Sequence, residues 1–584
     1  MLCFALCFSL ILPVCAQETK RLYVVGSPSE EILRIARLAA SEFAAEGFAM
    51  RVVYGAEEFS RAGDLLVVKN SSLPSEGYQI TEDAIFYADE NGLLYGLRHY
   101  LKMQLSGNFS PVSQAPDTAE RTLMLDCARK YFSKEFICNL IRQMSWMGMN
   151  TLELHLTEEQ GIRADIWDAR YFESENDYSW ICGSETAYWV YDCPDPDAGK
   201  YLSAPELLEI IAVAQKYRIK IIPSFNTPGH SEYLCNVFAQ QMLKNPDFTF
   251  IFQGKTYKTD SIACNQYSTI DIANEAACAF VHSVMLDYAK FFARYGSTDF
   301  NICADEITLE PSWARGSMSA YDVFTDYINE TAQLLQNLGY RVRAFNDFLC
   351  YKTGSIALDP EIDIVYWHTP TASAARNASD FIAQGRTVYN AIQNYTYYAL
   401  RVFNTPSLSD RPSWGLDARD KNNTWWSFSR ATAERVFAEW NPSKLHEYTD
   451  RTKTVLTGEQ LGGSYFLIWC DYAGLATEEE IWSGEYPLLE RLWAHSAKVW
   501  DWNAEDYESF AAEIQNYYEF PGFVGCSEAP LRRDSGRAWS AERLLDVRSI
   551  AEFRIAPLQQ HEEAYRELLE SGCAPYGAFG RKMS

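Results

Sequence analysis

Asp305 and Glu306 stand side by side after the run Phe300-Asn301-Ile302-Cys303-Ala304, which reads as a short buried strand. Two adjacent carboxyls at a strand's end are costly, because each charge raises the pKa of the other. Chemistry that needs a carboxylic acid and a carboxylate together uses that arrangement. A second reading is structural: Asp305 caps the next helix and Glu306 is a solvated residue of its first turn. The elements around the pair decide between the two.

From Arg121 the chain alternates strand-like and helical runs. Strand-like runs fall at 121–126, 150–156, 219–223, 299–304, 341–346, 362–367, 386–392 and 464–469. Helical runs start at Ser133, cover 204–217, 272–295 and 318–338, and resume from Tyr486. Eight apolar strands separated by helices or long loops predict an α/β chain built on a (β/α)8 barrel. In such a barrel the residues ending the strands converge on one face. Here those ends carry Asp126, His155 with Glu158-Glu159-Gln160, Asn226 to His230, Asp305-Glu306, Phe345-Asn346-Asp347, Trp367-His368, Tyr397-Tyr398 and Trp469-Cys470-Asp471. All eight ends are polar or aromatic, which favours the chemical reading of Asp305 and Glu306.

The rest of the chain frames that barrel. Its 584 residues call for two or three domains. Residues 17–117 read as a small α+β domain, 118–502 as the barrel and 503–584 as a helical C-terminal extension. The net charge of −27 argues against nucleic acid as a partner, because a phosphate backbone needs a basic footprint. Aromatic residues make up 14 %, with 16 Trp and 36 Tyr, which suits stacking on sugar rings or bases or simply an aromatic-rich core. Residues 1–16 form an uncharged apolar leader ending in Val14-Cys15-Ala16, so export with cleavage before Gln17 is expected. Lipid attachment at Cys15 ranks second, since Val14 is a poor neighbour for it. No other apolar run is long enough for a transmembrane segment. The 15 cysteines show no CxxC pair and no zinc spacing; Cys182 and Cys193, flanking one loop, are the candidate disulfide.

Several motifs, taken together and in order, resemble family 20 glycoside hydrolases, the β-N-acetylhexosaminidases and their relatives. They are Arg121-Thr-Leu-Met-Leu-Asp126-Cys-Ala-Arg129-Lys130, the run from Met149 to Gly161, Pro228-Gly229-His230-Ser231 and Cys303-Ala-Asp305-Glu306. Gly92-Leu-Leu-Tyr-Gly-Leu-Arg98 is similar to the end of the non-catalytic domain that precedes the barrel in that family. The resemblance implies substrate-assisted, retaining hydrolysis, in which the sugar's own 2-acetamido oxygen attacks the anomeric carbon. Glu306 would then be the general acid, and Asp305 would accept the acetamido N–H and stabilise an oxazolinium ion. A tyrosine of the seventh strand, Tyr397 or Tyr398, would bond the acetamido oxygen. Trp367 and Trp469 would wall the sugar, Arg121 would bind its hydroxyls, and His230 with Glu158 or Glu159 would support the acid. No metal or organic cofactor is implied, because the substrate supplies the nucleophile. The implied partner is an oligosaccharide or glycoconjugate ending in a β-linked N-acetylhexosamine.

Three departures from the family pattern stand out. Glu158-Glu159 replaces two Asp, Phe345 replaces a Trp, and Asp471 follows Trp469 where exo-acting members carry Glu. A shorter acid at 471 leaves more room beyond the sugar ring, as a lacto-N-biosidase releasing a disaccharide requires. The stretch 395–463, with Trp425-Trp426, could line such an extended site or merely cover the barrel. A catalytically silent glycan-binding protein is the alternative of another class.

Overall fold

The computed structural model describes residues 20–168, 170, 174–185, 194–264, 269–351, 354–370, 375–400, 432–446, 454–455, 461–483, 487–501, 506–523 and 525. The leader with Cys15, Cys193, Trp425-Trp426 and most of 503–584 lie outside them. Two compact units emerge, one of residues 20–116 with 513–523, the other within 117–512. No helix among the described residues is long and apolar enough to cross a membrane.

In the N-terminal unit, six strands form one sheet in the order Met50–Gly55, Lys20–Val25, Leu65–Lys69, Ala84–Tyr87, Tyr78–Ile80, Val112–Gln114. Its helix Glu30–Ala45 buries Ile32, Ile35, Leu38, Ala39 and Phe43 at the spacing of one helical face, and Ser29 caps it by accepting the Ile32 N–H. A second helix, Glu90–Ser106, is tied to the first by a buried Arg98–Glu42 ion pair of 2.6 Å.

The second unit is a (β/α)8 barrel. Its eight strands are Glu120–Asp126, Thr151–His155, Lys220–Ser224, Asp299–Asn301, Arg341–Phe345, Asp363–Tyr366, Val388–Asn390 and Leu461–Trp469. Each pairs in parallel with the next, and the eighth closes the ring on both the first and the seventh. Gly463 is what lets the eighth strand close: a Cβ there would sit 2.2 Å from the Glu120 carbonyl oxygen. A short additional strand, Tyr397–Ala399, pairs with Leu467–Trp469. The fourth strand stops at Asn301, short of the 299–304 expected, because Cys303 and Ala304 take left-handed backbone angles of +58° and +64°. Between the fifth and sixth strands the described residues hold no α-helix.

Successive strand residues alternate inward and outward, so the barrel interior is built in layers. The lowest layer is ionic. Arg343, fully buried, donates to Glu120 Oε1 at 2.6 Å, to the Tyr465 hydroxyl at 2.7 Å and to Asp299 Oδ1 at 2.7 Å, and its guanidinium lies 4.2 Å from the Tyr389 ring centre. Lys220 reaches Glu120 and Asp299 at 2.6 and 3.1 Å. Glu153 accepts from Asn301 and Tyr465, both at 2.9 Å. Above it lies an apolar layer that includes Met124, Val365 and Leu467.

Burial alone would raise the Glu120 carboxyl, but Arg343 and Lys220 hold it well below the ordinary carboxylate range. A depressed folded-state pKa contributes stability that is present above the unfolded value, about 4.3, and is lost as pH falls. Arg343→Met leaves three buried acids with too little opposing charge and should cost about 3–5 kcal/mol at neutral pH. Denaturant unfolding of both proteins from pH 7 down to pH 4 should show the difference shrinking as the orphaned acids protonate.

Candidate active site

The fourth strand delivers Asp305 and Glu306 through a strained turn. Cys303, Ala304 and Glu306 all have positive φ, +58°, +64° and +48°, a conformation that costs a non-glycine residue roughly 1–2 kcal/mol. Four hydrogen bonds hold it. Ile302 N–H donates to the Arg343 carbonyl at 3.0 Å and Phe345 N–H to the Cys303 carbonyl at 2.8 Å. Cys303 N–H donates to the Asn301 side chain at 2.9 Å, and Glu306 N–H to Asp347 Oδ2 at 2.7 Å. The result is a buried Asp305 beside a partly exposed Glu306.

The loop after the third strand brings His230 between two pairs of acids. Its Nδ1 lies 2.8 Å from Glu158 Oε1 and 3.7 Å from Glu159; its Nε2 lies 3.5 Å from Glu306 Oε2 and 4.0 Å from Asp305 Oδ2. These are close charge contacts rather than aligned hydrogen bonds. Gly229 permits the approach, since a Cβ there would stand 2.9 Å from the Asp305 carbonyl oxygen and 2.8 Å from Ile307. Glu158 gathers further donors: Arg129 by a very short contact, Asn226 Nδ2 at 2.9 Å and His155 Nε2 at 3.2 Å. Arg129 also bonds Asp126 at 3.1 Å and lies 5.4 Å from the Trp469 ring centre.

Burial disfavours charge on all of these groups, and mutual attraction overrides it. Burial would raise the Glu158 carboxyl, yet Arg129 and His230 hold it well below its ordinary value. Burial would lower the His230 ring, yet Glu158, with Glu159 and Glu306, pushes it well above. Asp305 is different: burial raises it and the Glu158 charge adds to that, while His230 and His155 pull back, and the net direction is upward. Its Oδ1 is buried with no hydrogen-bond partner.

Aromatic side chains wall the pocket. Tyr397 stacks on Trp367 with ring centres 6.2 Å apart and is tilted against Trp469 at the same distance; Phe345 packs on Trp469 at 6.2 Å. Trp367 donates its indole N–H to Asp347 Oδ1 at 3.1 Å. Strand alternation separates the two candidate tyrosines. Tyr397 faces Trp367 and Trp469, whereas Tyr398 is buried on the other side, with the Arg491 guanidinium 5.4 Å from its ring centre. Asp471, partly buried, contributes to the field on Arg129.

Besides Tyr398, a further expected residue does not join the site. Arg121 sits at the opposite end of the first strand, a strand about 20 Å long. Fully buried, it donates to the carbonyls of Gly148 and Thr118, both at 2.7 Å, and lies over Trp500. The arginine at the site is Arg129, three residues past Asp126. Asp126, His155, Asn226, Asn346 and Asp347 are further members that the sequence reading left without a role; each ends or closely follows a barrel strand. Of the candidate disulfide, Cys182 is a free thiol and Cys193 is not described. Among the described residues, Glu158, Glu159 and His230 form one group with donor atoms close enough to share a metal ion. Arg129 already bonds Glu158 there.

A barrel whose C-terminal strand ends collect carboxyls, imidazoles and aromatic rings defines an enzyme-like class of fold. The catalytic-domain model of glycosyl hydrolase family 20 matches residues 120–501, more than half of the chain, and the chain belongs to that family. It is similar to a β-hexosaminidase of Vibrio vulnificus, 23 % identical over 480 residues that cover 72 % of this chain and 53 % of that protein. It is also similar to a lacto-N-biosidase of Bifidobacterium bifidum, 21 % identical over 490 residues, 79 % of this chain and 37 % of the other. The chain thus spans about half the length, or less, of these curated relatives. In fold it matches a β-N-acetylhexosaminidase from Bacteroides fragilis with TM-score 0.59 at 19 % identity, covering 87 % of this chain and 93 % of that one. A Streptomyces plicatus β-hexosaminidase in complex with GlcNAc gives TM-score 0.60 at 16 % identity, covering 87 % and 92 %.

The charge pairing is directly measurable. By NMR, the His230 ring should titrate above the ordinary imidazole value of about 6.5, and Glu158→Gln should shift its titration downward, because burial is then less opposed. A ring that titrates alike in both proteins would refute the pairing.

Proposed function

We propose that this protein is a glycoside hydrolase that removes terminal β-linked N-acetylhexosamine, GlcNAc or GalNAc, by substrate-assisted, retaining catalysis. The observation that carries the reading is the pairing of a buried Asp305, whose Oδ1 has no partner, with a Glu306 backed by His230. The sugar's acetamido oxygen attacks the anomeric carbon while Glu306 gives its proton to the departing glycosidic oxygen. Asp305 accepts the acetamido N–H and faces the positive charge of the oxazolinium ion, and the Tyr397 hydroxyl donates to the acetamido oxygen. Water, deprotonated by Glu306, then opens the ring from the opposite side, so two inversions give retention. Trp367 and Trp469 exclude solvent and offer rings to the sugar, and Arg129 offers donors to its hydroxyls.

Phenol release from an aryl N-acetyl-β-glucosaminide tests this. Glu306→Gln and Asp305→Asn should each lose about 10²–10⁴-fold or more in kcat, in line with general acid–base and charge-stabilising roles. An enzyme that tolerates both changes would overturn the mechanism, and tight product binding with no turnover on any aryl glycoside would favour the glycan-binding alternative.

A second reading keeps the mechanism but releases a disaccharide. It is favoured by the short acid Asp471 beside Trp469 and by the likeness to a lacto-N-biosidase across 79 % of the chain. Comparing kcat/KM on an aryl N-acetylglucosaminide and an aryl lacto-N-bioside separates the two. Export is part of the proposal, supported by the apolar leader; the N-terminus of the secreted protein should be Gln17, and a lipid-modified Cys15 in its place would mark surface anchoring.

A further inference from the structure

Asp347 follows the fifth strand and is 7 % exposed. Its carboxylate does two things at once. Oδ2 accepts the backbone N–H of Glu306 at 2.7 Å, and Oδ1 accepts the indole N–H of Trp367 at 3.1 Å. The first bond holds the residue whose backbone is left-handed at φ +48°. The second fixes the ring that stacks on Tyr397. The preceding Asn346 strengthens the same junction: its side-chain oxygen accepts the N–H groups of Trp367 and His368 at 2.8 and 2.9 Å, and its amide donates to the His368 carbonyl at 2.7 Å.

We propose that Asp347 is a positioning residue that locks the proton donor and the wall of the acetamido pocket into one unit, a proposal that rests on the hydrolase reading above. Two N–H donors converge on it from two different strand ends, and a carboxylate can accept both. An amide of the same size turns its own N–H₂ toward one of them and breaks that bond. Among the described residues no ion pair reaches Asp347, which is buried and faces Asp305 and Glu306 instead. What this acid contributes is therefore its two acceptor oxygens rather than a charge pairing. Released from it, the Glu306 backbone has less reason to stay in a strained conformation, and its carboxyl no longer meets the glycosidic oxygen. A displacement of this order costs up to about 10²-fold.

The test separates proton delivery from general damage. Wild type and Asp347→Asn are compared on aryl glycosides of whichever sugar the wild type accepts, with leaving phenols of graded acidity. A poor leaving group needs the proton and a very acidic phenol does not. Asp347→Asn should therefore lose about 10²-fold in kcat/KM on the 4-methylumbelliferyl glycoside and less than about tenfold on the dinitrophenyl glycoside. An equal loss on all leaving groups, or none, overturns the proposal while leaving the hydrolase reading intact. A wild type inactive on every aryl glycoside fails that reading and this proposal with it. If Asp347→Asn does not fold, Trp367→Phe, which keeps a ring but removes one of the two donors, should steepen the same leaving-group dependence, and an unchanged dependence would overturn the proposal. In the double variant the two losses should fall well short of multiplying, as expected for residues acting through one junction.

Discussion

Charge inside the barrel is matched by charge, and this requirement decides which strand ends meet. A lone ion in the interior would cost several kcal/mol, so each buried acid draws a cation or a fan of donors toward it. In the lower layer Arg343 satisfies Glu120 and Asp299, and Tyr465 links it to Glu153, joining five strands through one guanidinium. In the upper layer Glu158 does the reverse, drawing Arg129, His155, His230 and Asn226 onto one carboxylate. The apolar layer between them keeps the networks apart, so the lower can serve stability while the upper is shaped for a ligand.

The upper layer is also unbalanced. Asp126, Glu158, Glu159 and Asp305 share Arg129, His155 and His230, and among the described residues no ion pair reaches Asp347. At Asp305 and Asp347 burial acts first and neighbouring acids add to it, and both carboxyls are pushed upward. A positive charge arriving beside Asp305 would therefore enter a field already prepared for it. In the proposed mechanism this is the electrostatic content of substrate assistance: the protein would supply the counter-charge and the sugar the ion.

Much of the barrel is legible in the chain because strand and helix periods differ so clearly between Arg121 and Trp469. The Asp305-Glu306 pair and the tryptophans ending the sixth and eighth strands are legible for the same reason: once a strand is placed, its last residue is placed. What failed depends on direction and parity. Arg121 and Arg129 flank the same strand, and only its polarity tells which one reaches the functional face. Tyr397 and Tyr398 differ by one residue, so the choice needs the register against Leu467 and Ile468, which no local pattern encodes. Cys303 and Ala304 read as strand because they are small and apolar, yet tertiary hydrogen bonds force them into left-handed turns. Asn346 and Asp347 act through a backbone N–H and an indole of other elements, contacts that sequence spacing does not show.

The strand carrying Tyr397 has one more consequence. It pairs with the last residues of the eighth strand and, among the described residues, with nothing on its other side. Barrel closure does not hold it; three residues of ladder, the Leu400 N–H on the Trp469 carbonyl, the Tyr472 N–H on the Leu400 carbonyl and the contacts of its side chains do. Such an edge opens at far lower free energy than the ring beneath it. The placement of Tyr397 beside Trp367 and Trp469 is therefore a matter of local contacts, separate from the global stability that Arg343 secures.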